Sequence, residues 1–68
     1  MNEETFNLSV RKFLKSFGIQ GQHEIERAAA NAVASGAVSG TGKFPGRVTL
    51  DIPGLKLNLQ FKGEIDLG

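Results

Sequence analysis

The chain has 68 residues, with eight Lys and Arg against seven Asp and Glu, one His and no Cys. That excludes disulfides and thiolate metal sites, an imidazole-rich metal centre within one chain, and the strong basic field that a nucleic-acid or anionic-lipid surface draws on. A domain this small leaves about 40% of its unfolded surface in water, so self-association is the expected supplement to its core.

The first predicted element is a helix over residues 2–17. Phe6, Val10, Phe13, Leu14 and Phe17 recur at helical spacing and mark one face. Asn2 suits the N-cap, and Glu3 and Glu4 suit the positive end of the helix dipole. Arg11, Lys12 and Lys15 suit the opposite end, and Gly18 is read as the stop. Leu8 falls off the stripe and has no assigned role.

A second helix is predicted over residues 21–35. Its stripe is Ile25, Ala28, Ala29, Ala32 and Val33, and Ser35-Gly36 ends it. The face is mostly alanine, so the phenylalanines of the first helix are expected to fill the space it leaves. The link "GIQG" is short, and Ile19 is expected to plug the corner between the two helices.

A Gly-rich linker follows over residues 36–46, containing "SGAVSGTGKF". It superficially suggests a phosphate loop. That motif needs Gly, four residues, Gly-Lys, then Ser or Thr. Counting back from Gly42-Lys43 reaches Ala37, and Phe44 stands where the hydroxyl should be. The order is also reversed: a phosphate loop leads from a strand into a helix, whereas this segment should lead from a helix into a strand.

Residues 47–67 read as a β-hairpin. Val48, Leu50 and Ile52 alternate with polar residues, as do Leu55, Leu57, Leu59 and Phe61 after Pro53-Gly54. A two-residue loop at Pro53-Gly54 would set Ile52 against Leu55, Leu50 against Leu57, and Phe44 against Gly63. Asp51 would then face Lys56, and Lys43 would face Glu64. Proline does not fit the first position of the favoured two-residue turns, so a wider or bulged turn is expected. Residues 63–67 need a pairing partner, either residues 40–44 or another chain. Lys56 and Lys62 on the polar face would discourage stray pairing.

No catalytic, cofactor-binding or metal-binding residue emerges, and no cofactor is expected. "HEIER" at residues 23–27 lacks the second histidine of a zinc-protease helix, so His23, Glu24 and Glu26 read as a solvated helix start. Thr49, Asp51, Glu64 and Asp66 share a polar ribbon face without the pocket that acid–base chemistry requires. The protein is therefore not expected to be an enzyme. Nucleic-acid binding through Arg11, Lys12, Lys15 and Arg27 is the alternative, weakened by the acidic groups around Arg27. A basic amphipathic first helix lying on a membrane ranks below it. No apolar run approaches the ~20 residues of a membrane span, and the acidic start "MNEETF" lacks a signal-peptide pattern. A cytoplasmic location is expected.

The order of parts carries a resemblance. "FNLSVRKFLKSFGIQGQHEIERA", a small-residue linker and "RVTLDIPGLKLNLQFKGEIDL" together resemble a family of short bacterial, mainly proteobacterial, proteins catalogued as a domain of unknown function. The resemblance implies a small helical–hairpin domain from a bacterial cytoplasm, and it brings no activity and no functional residue. The expected fold is α+β, a single small domain over residues 1–68 with two N-terminal helices packed on the apolar face of a C-terminal antiparallel β-hairpin. The expected function is a small non-catalytic interaction module. Its partner is a second copy, giving a homodimer, or another protein; neither nucleic acid nor membrane is the expected partner.

Overall fold

A computed structural model describes residues 1–68. Its elements are α1 (Glu3–Ala34), β1 (Lys43–Ile52), a 3₁₀ turn (Pro53–Leu55) and β2 (Leu57–Asp66). The class is α+β, with one helix where two were expected. The chain divides into two compact units, Met1–Ala37 and Val38–Gly68.

The first unit is α1. Asn2 caps it as expected: its side-chain oxygen accepts from the Thr5 N–H at 3.1 Å, with Glu3 and Glu4 in the first turn. Ser35-Gly36 closes it, also as expected. The Ala37 N–H donates to the Ala32 carbonyl at 2.9 Å and the Gly36 N–H to the Val33 carbonyl at 3.1 Å, with Gly36 left-handed at φ 78°. This is a Schellman closure, which occupies carbonyls that the helix end would leave open.

Between these caps the helix is unbroken. Gly18 and Gly21 both have helical backbones, so neither the stop at residue 18 nor the start at residue 21 is found. Two interior glycines cost about 1 kcal/mol each. Breaking the helix there would strand four carbonyls and four N–H groups at two new ends, with no Ser, Thr, Asp or Asn among residues 19–22 to cap the new start. It would also require a second costly nucleation. The apolar stripe stays in phase across the junction, from Phe17 through Gly21 to Ile25 and Ala28. Without a corner there is nothing for Ile19 to plug: it lies on the far side of the helix from the stripe, with Leu8. Arg11, Lys12 and Lys15 sit mid-helix rather than at a dipole end, and the last turn carries no basic residue.

The second unit is the hairpin. "SGAVSGTGKF" runs from the end of α1 into β1, the order expected of a connector. β1 starts at Lys43, four residues before the expected hairpin boundary, so the linker is shorter than residues 36–46. β1 and β2 pair antiparallel, with Ile52 opposite Leu57, Leu50 opposite Leu59, Val48 opposite Phe61, and Phe44 opposite Ile65. The register is thus two residues away from that of a two-residue loop. The cause is the wider turn that Pro53 was expected to force. Pro53, Gly54 and Leu55 form a 3₁₀ turn, the Lys56 N–H donates to the Pro53 carbonyl at 3.0 Å, and Lys56 takes the left-handed backbone at φ 56°. Lys56 therefore lies in the turn and projects from no strand. A shift of two keeps side-chain parity, so the apolar residues still share one face.

The end of β2 finds its partner within the chain: Ile65 pairs with Phe44 and Asp66 with Lys43, and the Leu67 N–H donates to the Gly42 carbonyl at 2.9 Å. Neither α1 by itself nor the ribbon by itself encloses a buried core. No residue of the chain is buried.

Candidate interaction surface

The hairpin register sorts its side chains completely. One face carries the pairs Phe44–Ile65, Gly46–Gly63, Val48–Phe61, Leu50–Leu59 and Ile52–Leu57. Every position on it is apolar or glycine, and none is buried. The opposite face carries Lys43–Asp66, Pro45–Glu64, Arg47–Lys62, Thr49–Gln60 and Asp51–Asn58. A ribbon this strictly two-sided has one polar and one apolar surface.

The Gly46–Gly63 pair interrupts the apolar face. A Cβ built on either glycine would meet nothing within 4 Å. An open depression of about 390 Å³ lies here, lined by Pro45, Gly46, Arg47, Lys62 and Gly63. Arg47 and Lys62 stand directly opposite each other, with no acidic group within 4.0 Å of either. Like charges so placed weaken a ribbon by up to ~1 kcal/mol. Sequence reasoning missed this pair because the register of a two-residue loop sets Arg47 against Gln60. The only signal that could have revealed it was the turn length, for which Pro53 was the clue.

The carboxylates do not converge. Asp51 faces Asn58, Glu64 faces Pro45 and Asp66 faces Lys43, so no two oppose each other. Asp66 accepts from the Gly68 N–H at 3.0 Å. No cluster of three His, Cys, Asp or Glu residues could hold a metal ion.

On α1 the stripe of Phe6, Val10, Phe13, Leu14, Phe17 and Ile25 is open along its length. The Phe17 ring lies over Gly21, where a Cβ would meet the ring at 3.6 Å. Lys12 and Lys15 border a shallow dip on the side away from the stripe, together with Ser16, Ile19 and Gln20. Arg11, Lys12 and Lys15 have no acidic partner within 4.0 Å, whereas Arg27 reaches Glu24 at 3.7 Å. His23 Nδ1 stands 4.0 Å from Glu26 Oε1. Both pairs are largely exposed and contribute little to stability. The structure thus gathers three of the four candidate nucleic-acid residues within about one turn and a half, and leaves Arg27 three turns further on. No helix is long and apolar enough to cross a membrane.

Residues 1–68 match the family of unknown function DUF6494. The chain belongs to that family. The match spans the whole chain, so the family's architecture is one long helix followed by a C-terminal β-hairpin. No curated protein and no solved structure matches the chain.

Proposed function

We propose that the protein is a small non-catalytic interaction module that self-associates or binds a protein partner through its open apolar faces. One observation carries this reading: every inward-type position of the hairpin is apolar or glycine, yet no residue in the chain is buried. Burial of apolar surface is the main favourable term in folding. A lone two-stranded ribbon is marginal in water, and a helix of this kind draws most of its stability from what it packs against. Contact with another protein surface supplies the burial that is missing.

Thermal unfolding followed by circular dichroism at a series of protein concentrations tests self-association. A midpoint that rises with concentration is expected, because binding that favours the folded form raises its stability by mass action. A cooperative transition at an unchanging midpoint removes the self-association half of the reading.

The alternative, nucleic-acid binding in a bacterial cytoplasm, is supported by the unpaired state of Arg11, Lys12 and Lys15. Fluorescence anisotropy with generic DNA and RNA tests it. Binding at low salt that weakens as salt rises supports it, and no binding at low salt ends it, since the phosphate term is strongest there.

A further inference from the structure

The stripe on α1 is not uniform. Its first half carries the bulk, in Phe6, Val10, Phe13, Leu14 and Phe17, and its second half is small, in Gly21, Ala28 and Ala32 with Ile25 between them. Had the chain broken into two helices, the large half could have folded onto the small half. In one continuous helix it cannot.

We propose that α1 pairs antiparallel with α1 of a second copy of this chain, across a two-fold axis level with Ile19. The proposal rests on the interaction-module reading and names the partner and the arrangement. Under that symmetry Phe6 of each chain meets Ala32 of the other, and Val10 meets Ala28. Nearer the axis Phe13 meets Ile25 and Phe17 meets Gly21. Large meets small at three of these four levels, which is how facing layers interdigitate at interior density, and Leu14 falls level with Glu24 at the edge of the seam. Because the contact is isologous, each match is made twice. A parallel pair would stack phenylalanine on phenylalanine at one end and alanine on alanine at the other. The two ends would then demand different interaxial distances of one rigid helix pair. The helix dipoles also oppose one another in the antiparallel arrangement, which places unlike ends together.

The area suffices. Phe6, Phe13 and Phe17 are 44%, 55% and 49% exposed. With Val10, Leu14 and Ile25 they present on the order of 600 Å² per chain, so a pair that covers them fully buries up to about 1,200 Å², where specific protein interfaces begin. Gly18 and Gly21 fit the same arrangement. Both weaken an isolated helix, and nothing within 4 Å of Gly18 in this chain requires a glycine there. Flanking the axis, they let the two backbones approach closely.

The absence of cysteine makes the test clean. Val10→Cys and Ala28→Cys are made as separate full-length chains, each checked for helix content by circular dichroism. They are oxidised alone and as a mixture. The expected result is a disulfide-linked mixed dimer, formed at least ~10-fold in excess over either homodimer, because facing positions have a high effective concentration. Residues 10 and 28 lie about 27 Å apart along one helix, so neither variant alone links in this arrangement. Linkage of Ala28→Cys to itself shows a parallel pair and overturns the proposal. So does absence of mixed dimer from variants that keep their helix. If the unfolding midpoint still rises with concentration in either case, only the arrangement falls and self-association stands.

Discussion

Leu50→Asp is expected to weaken the proposed association by roughly a hundredfold, a loss of about 2–3 kcal/mol. Leu50 sits in the middle of the ribbon's apolar face, opposite Leu59 and between the Val48–Phe61 and Ile52–Leu57 pairs. A carboxylate there removes the transfer energy of a leucine and, on contact with a partner, puts an unpaired charge out of water. Gln60→Glu is the control. Gln60 belongs to the neighbouring strand and carries the same change of charge, but it projects from the polar face opposite Thr49. Its effect is expected to stay within about 0.5 kcal/mol, as for ordinary surface substitutions. Concentration series of both variants by analytical ultracentrifugation make the comparison. Equal behaviour of the two would show that the apolar face is not the working one.

Gly21→Leu separates the helix as an isolated element from the helix as a contact surface, because the two predict opposite signs. In an isolated helix, leucine for glycine gains about 1 kcal/mol of propensity, and a Cβ at this position meets the Phe17 ring only at ordinary contact distance. In the antiparallel pair the same leucine meets Phe17 of the other chain, and overpacking costs about 1–3 kcal/mol, twice over by symmetry. The expected result is therefore higher helix content in the dilute monomer together with weaker dimerisation. Tighter dimerisation would contradict the pairing.

How far the fold was legible follows from what each feature depends on. The helix start at Asn2 and its end at Ser35-Gly36 were readable because capping is local chemistry: a side-chain oxygen for an N–H, and a left-handed glycine for a stranded carbonyl. The two-faced ribbon was readable because alternation has a fixed period, and a register shift of two residues does not alter it. Opposed pairs were not readable, since they depend on turn length. Pro53 announced a wider turn, but nothing nearby indicated that Lys56 would take the left-handed position. The break expected at Gly18 rests on a single residue's propensity, which the phase of the stripe outweighs. Phe17, Gly21 and Ile25 keep one phase, and that continuity was present in the sequence. The expected packing of phenylalanines over an alanine face fails for the same reason, because it needs a helix that folds back on itself. Arg11, Lys12 and Lys15 were legible as a basic cluster, whereas the separation of Arg27 from them is a consequence of the unbroken helix.

The proposed module works only if contact with another protein surface covers the apolar faces of helix and ribbon. Amide hydrogen exchange of the full chain, recorded on samples whose mass is fixed by sedimentation equilibrium, reads this directly. Association is expected to raise protection in α1 and along the β1–β2 ladder in step with the dimer fraction. A chain that sediments as a monomer at every concentration, with helix and ladder amides already protected to the full unfolding free energy, would contradict it.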